Sequence, residues 1–188
     1  KLFKYAKKYS NNIQCFINCA GFSKWSPIEK VNNNEWNEMI DVNLKGAYWG
    51  CKVASQQLRK GTSIINISSL AGKRGSANNS LYCISKFGIT ALTQSLSKEL
   101  GPKGIRVNAV CPVYIPTKGL IKALNNKFSP SKNQKADKYF AKFIRENASL
   151  GRLPNAQEVA QTCLFFASEI SSAITGQSIN VDCGVLPQ

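Results

Sequence analysis

The sequence predicts an α/β fold: one domain built on a parallel sheet of βαβ units. Three observations carry this. Short apolar, β-branched runs recur at residues 15–19, 63–67, 105–110 and 178–181. The intervals between them hold apolar residues at helical spacing. Strands alternating with helices give parallel neighbours joined by crossovers, and 188 residues with a hydrophobic fraction of 43% are enough for one sizeable core.

Taken in order, residues 1–10 read as the tail of an amphipathic helix, with Leu2, Phe3, Tyr5, Ala6 and Tyr9 as its apolar residues. Residues 15–19 form a buried strand ending in Ala20-Gly21, small residues that let a ligand approach the backbone. A loop over 22–34 precedes a long helix over about 35–59, whose apolar face includes Trp36, Met39, Ile40, Leu44, Ala47, Tyr48 and Cys51. The strand at 63–67 ends in two hydroxyls, Ser68 and Ser69. After a loop with Gly72 and Gly75, a helix starts at Asn79 or Ser80, either a suitable N-cap, and stops near Gly101-Pro102. The third strand covers 105–110. Residues 112–154 form a long segment with one or two short helices, including about 136–147. Asn155 and Glu158 have the spacing of a capping box that opens the last helix. Right-handed crossovers should keep successive helices on consistent faces. Ligands of such sheets bind outside the C-terminal strand ends, where Asn18, Ser69 and Pro112 fall.

Composition narrows the function. The net charge of +15 comes mostly from lysines spread along the chain rather than from a basic helix, so it argues for anionic small molecules, not nucleic acid. No apolar stretch is long enough to span a membrane. Seven scattered cysteines without a Cys-x-x-Cys pair read as reduced thiols in a cytoplasmic setting, with Cys15, Cys19 and Cys111 as small core residues. Histidine is absent and no cysteine spacing suits a metal.

The chemistry concentrates at Tyr82 and Lys86, four residues apart on one helix face. A phenol has a pKa of about 10, and bringing it near 7 takes roughly 4 kcal/mol in favour of phenolate. A cation about 4 Å away supplies that much if the effective dielectric is near 20. The pair can therefore act as a proton-transfer group without histidine. Ser69 lies 13 residues before Tyr82, at the end of the preceding strand.

Ser69 followed by Tyr82-x-x-x-Lys86 resembles the short-chain dehydrogenase/reductase family. Four more motifs fall in the family's order: Asn18-Cys19-Ala20-Gly21, Asp41-Val42-Asn43-Leu44, the run from Arg106 to Pro112, and the run from Ile174 to Asp182. The resemblance implies a Rossmann-like doubly wound parallel sheet, here lacking its first strands and glycine-rich turn. The chain would be the C-terminal three quarters of a longer protein, a single Rossmann-type domain over 1–188 with a substrate lid at about 112–154. The implied activity is NAD(P)-dependent interconversion of a secondary alcohol and a ketone. The substrate would be a sugar or polyol derivative, toward which the polar lid leans, or a 3-oxoacyl thioester. A non-catalytic scaffold or subunit is the alternative.

The resemblance also assigns roles. Tyr82 is the acid/base, Lys86 lowers its pKa and holds the nicotinamide ribose, Ser69 (with Ser68 as competitor) binds the substrate oxygen, and Asn43 holds a water leading from Lys86. Asn18, Ala20, Gly21, Pro112, Val113, Ile115 and Thr117 join Tyr82 and Lys86 around NAD or NADP, and no metal is implied. A dimer or tetramer forms through the 35–59 and Tyr82 helices. Val113 stands where the family has glycine, and Cys183 interrupts an Asp-Gly-Gly ending, so both are candidates for backbone strain.

Overall fold

The computed structural model describes residues 2–187. Strands β1 (Cys15–Asn18), β2 (Ser63–Ile67), β3 (Arg106–Pro112) and β4 (Ser178–Val181) form one parallel sheet in that order. The helices are α1 (Leu2–Ala6), α2 (Asn33–Ile40), α3 (Gly46–Gln57), α4 (Ser80–Leu100), α5 (Lys118–Leu124), α6 (Ala136–Asn147) and α7 (Ala156–Ala167). The capping box forms as the sequence suggests, Asn155 accepting from the Glu158 N–H at 3.0 Å while Glu158 accepts from the Asn155 N–H at 2.8 Å.

Side chains alternate across a strand, and the pattern decides which helix covers which face. Ile64 and Val107 meet Cys51 and Ala54 of α3 and Leu100 of α4. Their counterparts Ile65 and Val110 meet Cys163 and Phe166 of α7. Thus α3 and α4 share one face and α7 takes the other. This corrects the expectation of consistent faces. The strand order never reverses, so a helix on the opposite face gives the β3–β4 connection the opposite hand to the first two. The length of that connection, residues 113–177, allows the chain to pass around the sheet end before returning.

Buried polar side chains pin the strands. Asn66 accepts from Asn18 at 2.8 Å and donates to Thr93 of α4 at 2.9 Å. Asn108 donates to the Ile174 carbonyl at 2.9 Å and accepts from the Gln177 N–H at 3.0 Å, which seats the C-terminal motif against β3. The Arg106 guanidinium donates to the Phe166 and Ser168 carbonyls at 2.6 and 3.0 Å, a cation placed at the negative end of α7.

Other expectations need adjusting. The long helix over 35–59 is α2 and α3 joined by a π turn at Asp41–Lys45, and it starts earlier because Asn32 caps it by accepting from the Glu35 N–H at 3.0 Å. Helix α1 stops at Ala6, and Lys1 lies outside the described residues. β1 ends at Asn18, so Cys19 is exposed rather than a core residue, whereas Cys111 is fully buried. Val113 carries no positive φ and its N–H joins the Val181 carbonyl at 3.3 Å, so it is unstrained. Cys183 is strained, at φ 55° in the left-handed region.

Candidate active site

A cavity of about 350 Å³ opens at the C-terminal ends of β1, β2 and β3. Gly21 follows β1, Ser68 and Ser69 follow β2, Pro112 closes β3, and Tyr82 and Lys86 enter from the first turns of α4. Val113, Ile115 and Thr117 complete that part of the wall, and Thr117 also caps α5 by accepting from the Leu120 N–H at 3.2 Å.

Helical spacing stacks Tyr82 and Lys86: the ammonium lies 5.7 Å from the ring centroid. Lys86 donates to the Ile67 carbonyl, the last of β2, at 2.9 Å. The two serines diverge. Ser68 is buried, donates to the Lys86 carbonyl at 3.1 Å and faces Thr90 at 3.3 Å, so it ties β2 to α4. Ser69 caps a short 3₁₀ turn by accepting from the Ala71 N–H at 3.1 Å, and its hydroxyl is near enough to the Tyr82 phenol to favour phenolate. Gly72 permits this close approach: a Cβ there would lie 2.5 Å from Ser68 Oγ and 2.6 Å from the Lys86 carbonyl oxygen.

The electrostatics differ from the sequence expectation of a lysine-lowered phenol. Burial pushes the Tyr82 pKa up to about 12, with the Ser69 hydroxyl pulling the other way. Burial also lowers Lys86, to about 8. The physical reason is desolvation: both groups sit in a largely apolar wall, and the ammonium is engaged with the Ile67 carbonyl rather than with the phenolic oxygen. At neutral pH the phenol is therefore a protonated donor beside a largely charged amine.

Three candidates lie off the cavity wall. Asn18 turns inward, donating to Asn66 at 2.8 Å and Cys51 Sγ at 3.2 Å. Ala20 is exposed and outside the lining. Asn43, in the π turn, is buried and grips the backbone of Phe22 twice, accepting its N–H at 2.9 Å and donating to its carbonyl at 2.8 Å. That amide shapes the turn after β1, since a Cβ on Gly21 would lie 3.2 Å from Asn43 Oδ1 and 3.4 Å from Lys86 Nζ.

Sequence reasoning missed other parts of the wall, among them Cys19, Trp25, Arg74, Tyr114, Leu120 and Phe143. The aromatic part had a signal in Tyr139, Phe140 and Phe143 at helical spacing on α6. Tyr114 packs edge-on against Phe143, ring centroids 4.9 Å apart, and hydrogen-bonds Tyr139 at 3.1 Å. Among the described residues no group of His, Cys, Asp and Glu is arranged to hold a metal, and no helix is long and apolar enough to cross a membrane.

Residues 1–186 match the family model described as enoyl-(acyl carrier protein) reductase. The chain is 35% identical over 187 residues to the 3-oxoacyl-(acyl-carrier-protein) reductase FabG of Chlamydia muridarum, a match covering 97% of this chain and 68% of that protein. It is 35% identical over 172 residues to the (3R)-3-hydroxyacyl-CoA dehydrogenase of Homo sapiens, covering 90% of this chain and 61% of that protein. The ligand-free aldohexose dehydrogenase of Thermoplasma acidophilum superposes with a TM-score of 0.86 at 32% identity, over 100% of this chain and 76% of that one. The chain spans about two thirds of the length of the curated relatives it matches.

Proposed function

The chain belongs to the short-chain dehydrogenase/reductase family, and from that premise we propose that it is the catalytic part of an NAD(P)-dependent oxidoreductase that reduces the 3-oxo group of an acyl thioester to the alcohol, and runs the reverse. One observation carries the reading: Ser69, Tyr82 and Lys86 line the same cavity, with the Lys86 ammonium 5.7 Å from the centre of the phenol ring.

The residues fit a nicotinamide. Gly21 keeps open the space that a Cβ would fill next to Asn43 and Lys86, and Pro112, Val113, Ile115 and Thr117 give a wall for a flat ring with an amide. These residues, with Lys86, would hold the nicotinamide end of NAD or NADP. When bound, that group supplies or accepts the hydride. The protein handles the oxygen. Tyr82, held protonated by burial, donates its proton to the carbonyl oxygen as that oxygen gains charge. Ser69 donates a second hydrogen bond to the same oxygen. Lys86 stabilises the phenolate left behind.

The aromatic part of the wall formed by Tyr114 and Phe143, with Phe140 packed behind Tyr114, supports an acyl chain over a sugar, although the polar composition of the surrounding segment leans the other way. We read residues 112–154 as the substrate lid. Exposed Trp49 and Val53 on α3 and Ile84 and Phe87 on α4 support a dimer or tetramer through these helices. All seven cysteines are free thiols, which supports a reducing, cytoplasmic compartment.

The test is Tyr82→Phe. In the complete protein, turnover of a 3-oxoacyl thioester should fall by about two to four orders of magnitude while dinucleotide binding persists. Near-normal turnover would remove the phenol from the mechanism.

A further inference from the structure

The cavity wall holds a cation that the chemistry above leaves unused. Arg74 lies on the wall, two residues beyond the Gly72 contact with α4, and its side chain is exposed. The ion pairs among the described residues join Lys24 to Glu35, Lys45 to Asp41, Arg145 to Glu146 and Arg152 to Glu158, none of them involving Arg74. Its guanidinium has no hydrogen-bond acceptor among the described residues either, and the cavity lining contains no aspartate or glutamate. The other lining cation, Lys86, is buried and bonded to the Ile67 carbonyl. Arg74 is also close enough to the Tyr114 and Tyr139 phenols for its charge to act on both. It shares the cavity wall with the aromatic side chains of Tyr114 and Phe143, where the part of the substrate beyond the reacting carbonyl would lie.

We propose that Arg74 is a specificity-determining residue that binds an anionic group of the substrate on the far side of the reacting carbonyl. A guanidinium presents a planar fork suited to carboxylate or phosphate and stays charged at any working pH. The anion is either the carboxylate of a free 3-oxo acid or a phosphate on the carrier portion of a thioester. This inference rests on the carbonyl-reduction reading, and its test separates the two.

The experiment compares wild type, Arg74→Ala and Arg74→Lys on three substrates with the same 3-oxobutanoyl unit: acetoacetate, acetoacetyl-CoA and the uncharged thioester acetoacetyl-N-acetylcysteamine. For whichever anionic substrate the wild type prefers, Arg74→Ala should lower kcat/KM about five- to tenfold, through KM, with kcat within about twofold. Arg74→Lys should recover part of the loss, and the uncharged thioester should respond to neither change. A loss confined to acetoacetate identifies a carboxylate, and one confined to acetoacetyl-CoA a phosphate. Equal losses on charged and uncharged substrates, or no loss on either anion, would overturn the assignment. If the wild type, assayed as the complete protein with saturating NADH or NADPH, reduces none of the three, the carbonyl-reduction reading fails. Titration of acetoacetate and of CoA into wild type and Arg74→Ala then decides the Arg74 inference by itself: tighter binding of one anion to the arginine form supports it, and equal binding sinks it.

Discussion

At the residue scale, Tyr82 and Lys86 are pushed toward their neutral forms by the same burial. That has a consequence for stability. The folded Lys86 pKa of about 8 lies below its ordinary 10.5, so between those values the unfolded chain binds more protons than the folded one. Stability therefore rises with pH through that window, and the cost of burying the charge is fully present below it. Lys86→Met removes this dependence while leaving Tyr82 in place. On going from about pH 7 to about pH 10, wild type should gain about 1–3 kcal/mol relative to the variant, read from urea unfolding at each pH. Parallel pH dependences of the two proteins would show that the amine is not desolvated. The sequence announced the pair, since i and i+4 share a helix face, and it announced Ser69 through its interval. It could not announce the phenol's pKa. That depends on how much apolar surface closes over the ring, and on Lys86 spending its hydrogen bond on the Ile67 carbonyl, a contact between residues 19 apart in the chain.

At the element scale, the seam between the β2–α4 loop and α4 sets the distance between Ser69 and Tyr82. Gly72 is buried in that seam, and the atoms nearest an added methyl would be Ser68 Oγ and Lys86 backbone, not a flexible side-chain end. Gly72→Ala should therefore destabilise the protein by about 2–3 kcal/mol and lower turnover as the serine loop is pushed off the helix. Gly75, three residues on, would have nothing within 4 Å of an added Cβ, so Gly75→Ala is the matched control and should leave both properties nearly unchanged. Thermal unfolding and steady-state rates of the two variants make the comparison; similar behaviour of the pair would mean the seam tolerates a methyl. Elements with local signals were legible: α6 falls on residues 136–147 as the periodicity suggests, and the Asn155–Glu158 box forms. The π turn was not legible, because adding one residue to a turn leaves the apolar spacing of α2 and α3 almost intact. Its cause is tertiary: it buries Asn43 against the Phe22 backbone and lays Leu44 over Gly88, where a Cβ would come within 2.8 Å of a leucine methyl.

At the scale of the whole molecule, the hand of the last crossover could not be read from the sequence, because nothing local in residues 113–177 says which way round the sheet the chain returns. The sheet also bears on cofactor affinity. β1 is paired only with β2 among the described residues, and Ile17 on it is 44% exposed. The first glycine of residues 1–188 is Gly21, after β1, so within this span no glycine-rich turn leads from a strand into a helix N-terminus, the arrangement that grips a pyrophosphate. The cavity of about 350 Å³ accommodates a nicotinamide and a short acyl group but not a whole dinucleotide. With the ring held and the phosphates left in water, residues 1–188 alone should bind NADH or NADPH with a Kd of about 1 mM or weaker, despite a net charge of +15 that attracts both. Fluorescence titration of the reduced dinucleotides measures this directly, and raising the salt concentration should weaken what binding there is, since it would rest on diffuse charge. Salt-insensitive binding in the micromolar range would mean that the phosphates find a built site among these residues.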